Sequence, residues 1–128
     1  MIALFIFLAG GTGATLRFSV DRLISARLKG GIPIATFFSN ATGSFALGLL
    51  TGLIGIYIPT HANGSAPWAA DSLPLVLGLG FLGGYTTFST AMIEAAQTQD
   101  AAQRLTLLVG QALICVLCAG AGLLLFLP

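Results

Sequence analysis

Charge is scarce in this sequence. Four acidic and five basic side chains make up 7% of its 128 residues, while 56% are hydrophobic. A soluble domain carries roughly a quarter charged residues. A water-exposed globular surface is therefore excluded, and so few basic residues leave no surface for nucleic acid. Histidine and cysteine are equally sparse: one His, His61, and two Cys, Cys115 and Cys118. The C-x-x-C spacing is that of redox and zinc sites. With no further Cys and His61 far away, however, zinc lacks a ligand set. Both thiols fall in an apolar run and fit small packing residues. No nucleotide motif, phosphate loop or nucleophile–base pair occurs, so the chain does not look like an enzyme.

What is abundant is apolar length. A membrane span needs roughly 20 mostly apolar residues, and four such runs consume the chain. The spans are expected from Ile2 to Phe18 with a polar continuation to Leu28, from Pro33 to Ile58, from Leu73 to Ala96, and from Leu105 to Leu127. The first run lacks a basic leader and a small-residue cleavage site, and reads as a span rather than a cleaved signal. The expected fold is a single domain over 1–128, an all-α membrane protein of four transmembrane helices. Seventeen glycines, many within the spans, point to close helix packing. Between spans two and three, Tyr57 and Trp68 suit the membrane interface.

The basic residues are Arg17, Arg22, Arg27, Lys29 and Arg104. They flank the loops after spans one and three, which share one membrane face. Positively charged loops stay in the cytoplasm. The expected topology in the cell membrane therefore places both basic loops inside and both termini outside.

Within span three, Gly83-Gly84-Tyr85-Thr86-Thr87-Phe88-Ser89-Thr90 is a poor helix sequence. Lipid offers no partner to freed backbone groups, so an interrupted helix must be covered by protein or line a cavity. A break is expected near Gly83, with the hydroxyls of Thr86, Thr87, Ser89 and Thr90 clustered around Phe88. In span two, Thr36, Asn40 and Gly43 share one helix face. A buried amide is costly unless bonded; Asn40 either bonds a neighbouring helix or faces an aqueous path. Span four carries Gln111, Cys115, Cys118 and Gly122 at helical spacing, a packing stripe in which Gln111 has the chemistry to line such a path. Glu94 is the one acid inside a span and lies toward the same membrane face as Arg17. Pairing between the two, or snorkelling of Glu94, is favoured over a functional role.

These residues resemble the Fluc (CrcB-type) fluoride channel family over the whole length. The resemblance rests on Gly10-Gly11-Thr12-Gly13-Ala14-Thr15-Leu16-Arg17, on Thr36 through Asn40 to Gly43, and above all on Gly80-Phe81-Leu82-Gly83-Gly84-Tyr85-Thr86-Thr87-Phe88-Ser89-Thr90, with Glu94 in register. It implies an antiparallel two-subunit assembly, with the third helix broken mid-membrane and two fluoride paths along the interface. It also implies a central sodium ion held by the backbone carbonyls of Gly83 and Thr86. Asn40 and Phe88 would line the fluoride path, joined by the hydroxyls of Thr87 and Ser89. Departures from the family pattern are Ala91, where a second phenylalanine is usual, and Ala35-Thr36 in place of Gly-Thr. On the fourth helix, Leu107, Gln111 and Cys115 replace a tyrosine and serines.

The function so implied is passive fluoride export, with an oppositely oriented homologous subunit as partner. One-sided charge favours a heterodimer, and a homodimer is the alternative. Two other readings are a chain that mainly completes its partner's channel, and a four-helix antiporter for cationic drugs or guanidinium. The antiporter reading requires an acid inside span one, which this sequence lacks.

Overall fold

The computed structural model describes residues 1–27, 34–57 and 72–126. Helix α1 covers Ile2–Arg27 and α2 covers Ile34–Tyr57. The third apolar segment is composite. A π-helical stretch, Leu75–Leu82, runs into a helical turn, Gly83–Tyr85, and together these form α3. Helix α4 covers Phe88–Gln97 and α5 covers Ala101–Leu124. Among the described residues, four segments are long and apolar enough to cross a membrane: Ile2–Arg27, Ile34–Gly55, Ser72–Gln97 and Ala101–Leu124.

Helix α1 runs unbroken through the expected polar continuation to Arg27. Its 26 residues reach about 39 Å at 1.5 Å per residue, beyond a hydrocarbon core of about 30 Å. Helix α5 starts at Ala101, ahead of the apolar run, because Asp100 caps it. The Asp100 carboxylate accepts from the N–H groups of Ala102 (3.2 Å) and Gln103 (3.3 Å). The expected start of span two at Pro33, its end at Ile58, and the loop with His61 and Trp68 lie outside the described residues, as does Lys29.

Glycine sets the packing. Helix α1 lies against α3 so closely that a Cβ on Gly13 would strike the Phe81 carbonyl, and one on Gly84 would strike the Gly10 carbonyl. Helix α2 lies against α5 in the same way, with Gly48 facing the Ala119 carbonyl and Gly122 facing the Phe45 carbonyl. Lipid tails are as apolar as leucine, so association in a membrane depends on such close van der Waals contact. Hydroxyls add local bonds: Thr42 and Tyr85 join α2 to α3 at 3.0 Å, and Phe81 stacks on Tyr85 with ring centroids 6.4 Å apart.

Gly11 separates helix propensity from packing, because a Cβ there meets nothing within 4 Å. Gly13→Ala is therefore expected to destabilise the protein by about 1–3 kcal/mol through overpacking. Gly11→Ala should be neutral or slightly stabilising. Thermal unfolding of the two variants in lipid nanodiscs checks this; equal midpoints would contradict the packing account.

Candidate functional site

Helical backbone stops after Tyr85. Thr86 has φ −85° and ψ 160°, and Thr87 has φ −149° and ψ 119°, before helix resumes at Phe88. The sequence placed the interruption near Gly83, but Gly83 is helical, with φ −62° and ψ −35°. The glycine pair serves close approach to α1 instead of a hinge. The turn away from helix falls three residues later, where hydroxyls and an amide replace the lost backbone partners.

Asn40 is the principal replacement. Thr87 N–H donates to Asn40 Oδ1 at 2.7 Å, and Asn40 Nδ2 donates to the Thr87 carbonyl at 2.8 Å. One side-chain amide thus pairs with both polar groups of one extended residue, as a neighbouring strand would. The Thr87 hydroxyl caps α4 by accepting from Thr90 N–H at 3.2 Å, and it meets the Thr90 hydroxyl at 2.9 Å. Thr86 closes the previous turn, its N–H and hydroxyl both donating to the Leu82 carbonyl at 2.9 and 3.0 Å.

These substitutions have a consequence for two carbonyls. In a continuous helix the Gly83 carbonyl accepts from Thr87 N–H and the Thr86 carbonyl from Thr90 N–H. Here Thr87 N–H is directed to Asn40, and Thr90 N–H to the Thr87 side chain. Gly83 and Thr86 thereby lose their helical donors. The face of α2 that carries Thr36, Asn40 and Gly43 is buried against this segment. A Cβ on Gly43 would collide with the Thr86 methyl group, so glycine there lets α2 reach the interruption.

Two cavities flank the Asn40–Thr87 pair. The first, of about 450 Å³, brings together Asn40, Gly83, Thr86, Thr87, Phe88 and Gln111. Phe88 presents a ring that is 75% exposed on the isolated chain, whereas Gln111 is only 7% exposed. Gln111 Nε2 makes a long contact to Cys115 Sγ at 3.5 Å, and its Oε1 is buried without a partner. The second cavity, of about 180 Å³, contains Arg17, Asp21, Thr36, Thr87 and Glu94. Ser89 lines neither cavity; its hydroxyl stands 3.4 Å from that of Thr87.

Glu94 is not tied to Arg17 by a hydrogen bond. Its Oε1 accepts from the Thr36 hydroxyl at 2.7 Å, while its Oε2 and Arg17 Nε are buried without partners. Sequence reasoning missed Tyr85, whose ring is buried beneath the interruption and whose hydroxyl meets Thr42. It also missed Asp21, although Asp21 follows Arg17 by one helical turn, a spacing that puts both on one face.

The sequence profile described as CrcB-like protein, Camphor Resistance (CrcB), matches residues 4–124. The chain belongs to the CrcB-like family. Among its relatives is "Fluoride-specific ion channel FluC 1" of Leifsonia xyli subsp. xyli (strain CTCB07), 39% identical over 99% of this chain and 86% of that protein. "Fluoride-specific ion channel FluC 2" of Mycobacterium bovis (strain ATCC BAA-935 / AF2122/97) is 37% identical over 93% of this chain and 83% of its own length. "Fluoride-specific ion channel FluC 1" of Staphylococcus aureus (strain NCTC 8325 / PS 47) is 37% identical over 82% of this chain and 77% of its own length. With four helices fit to cross a membrane, this CrcB-like chain is a multi-pass membrane protein.

Asn40→Leu is expected to leave both backbone groups of Thr87 unpaired, at about 1–3 kcal/mol for each buried group. Hydrogen exchange at the Thr87 amide should accelerate and thermal stability should fall. Unchanged exchange would show that Asn40 does not hold this backbone.

Proposed function

We propose that the chain is a subunit of a fluoride-selective channel for passive fluoride export. The observation that carries this reading is the first cavity. There an aromatic ring, an amide and threonine groups face one space beside freed backbone, with no Lys or Arg among the lining residues. The chemistry suits a small, strongly hydrated anion. A fixed cation would hold fluoride too firmly for conduction, which requires moderate binding at several points. The Asn40 amide uses one N–H on Thr87 and has a second to offer. The edge of the Phe88 ring carries the positive end of its quadrupole and can face an anion. The relatives' names agree with this reading, which describes a channel and not an enzyme.

The Gly83 and Thr86 carbonyls fit a sodium site. They are hard oxygen donors without their helical partners, at a point where lipid supplies none. In the proposed assembly this interruption of the third helix lies mid-membrane, and a bound sodium ion would neutralise the carbonyl dipoles of two facing subunits. The mate is an antiparallel homologous chain. Four of the five basic residues lie between Arg17 and Lys29, and the fifth is Arg104. One orientation, with basic loops cytoplasmic, then dominates, and a heterodimer is favoured over a homodimer. In that assembly the mate would cover exposed apolar side chains such as Phe88 and Leu79.

Reconstituted with its mate, the protein should release fluoride from liposomes down its gradient, without proton coupling and without comparable chloride flux. Asn40→Asp should reduce fluoride flux at least tenfold, because a carboxylate repels the anion and removes both donors. A fluoride electrode measures each case. Equal chloride flux would refute selectivity, and full activity with a bulky organic cation replacing sodium would refute the sodium site.

Purification alone and with a homologue of opposite charge bias tests the partner. We expect conduction from the pair only, with reporter fusions placing Asp100 in the cytoplasm. A conducting assembly of this chain alone, inserted in both orientations, would contradict the heterodimer.

A further inference from the structure

Thr87 lines both cavities, so the Asn40–Thr87 pair separates two spaces of opposite character. The first presents no charged side chain. The second presents three: Arg17 and Asp21 from α1 and Glu94 from α4, while α2 contributes the hydroxyls of Thr36 and Ser39. With both acids ionised, the charges facing this cavity sum to −1. That is an unexpected sign for a chamber on an anion route. Arg17 alone would attract an anion toward Thr87, and its Nε is free of hydrogen-bond partners. Glu94 already has Thr36 on one oxygen, and the other is sealed from solvent. Asp21 differs from both. It is exposed and lies one helical turn beyond half-buried Arg17, which places it nearer the mouth.

We propose that Asp21 sets the rate of anion passage through the second cavity. Its carboxylate cancels the attraction of Arg17 and makes the mouth a barrier to an anion. The proposal rests on the fluoride-channel reading above. A cleft lined by one sign of charge changes the local concentration of a passing ion, and hence its entry rate, by about tenfold or more. The direction follows from the charge sum: without the Asp21 carboxylate the charges facing the cavity cancel, and fluoride entry should rise.

The test measures fluoride efflux from liposomes holding the assembled channel, at neutral pH and at low and high ionic strength. Leak from protein-free vesicles, which includes neutral hydrogen fluoride, is subtracted. Asp21→Asn should conduct about 3- to 10-fold faster than the parent protein at low ionic strength, and the difference should shrink as salt screens the charge. Asp21→Ser should behave alike, and Asp21→Glu should restore the parent rate. Chromatographic elution of each variant at the parent position establishes that its assembly is intact. Parent conduction matched by both neutral variants at low ionic strength would overturn the role of Asp21 and leave the channel reading standing. A parent protein that conducts no fluoride at either ionic strength would overturn the channel reading and this proposal with it.

Discussion

An extended residue between two helices inside an apolar protein has a donor and an acceptor that nothing in lipid can meet. At Thr87 both are met by one side chain, the Asn40 amide. Much of the site depends on that pair. By engaging Thr87 N–H, Asn40 releases the Gly83 carbonyl. By holding Thr87 extended, it places the hydroxyl where it caps α4 and takes the N–H that would otherwise serve Thr86. The same pair forms the partition between a charge-free cavity and a charged one. Asn40 thus has a structural duty first, and in the channel reading proposed above only its second N–H is left for an ion.

Glycine contacts bring Asn40 within reach. Gly13 and Gly84 seat α1 on α3, Gly48 and Gly122 seat α2 on α5, and Gly43 lets α2 approach Thr86. The first four place backbone against backbone, so they fix helix position within narrow limits. A methyl group at such a point moves a whole helix, and with it the amide that must meet Thr87. Packing and function are therefore linked through distance rather than through shared residues.

Much of this was legible in the sequence. Four apolar runs announced four helices, and the run from Gly83 to Thr90 announced an interruption. Its position differs because glycine serves two purposes: a helical Gly83 and the contact of Gly84 with Gly10 show that small size, not a break in the backbone, is what matters there. The identity of Asn40's partner was not legible, since periodicity assigns a residue to a face and not to a neighbour. The π-helical winding of Leu75–Leu82 left no signature in a uniformly apolar run. The spacing of Asp21 from Arg17 is readable in the sequence, but only the fold brings Glu94 to the same cavity.

The central claim is that Thr86 and Thr87 are held extended by Asn40 within the membrane. Solid-state NMR of the protein in lipid bilayers, with ¹³C-labelled threonine, tests this most directly. Cα and Cβ shifts report backbone conformation residue by residue. The account predicts extended-type shifts at Thr86 and Thr87, helical shifts at Thr90, and collapse of the extended signature in Asn40→Leu. Helical shifts at Thr86 and Thr87 in the parent protein would contradict it.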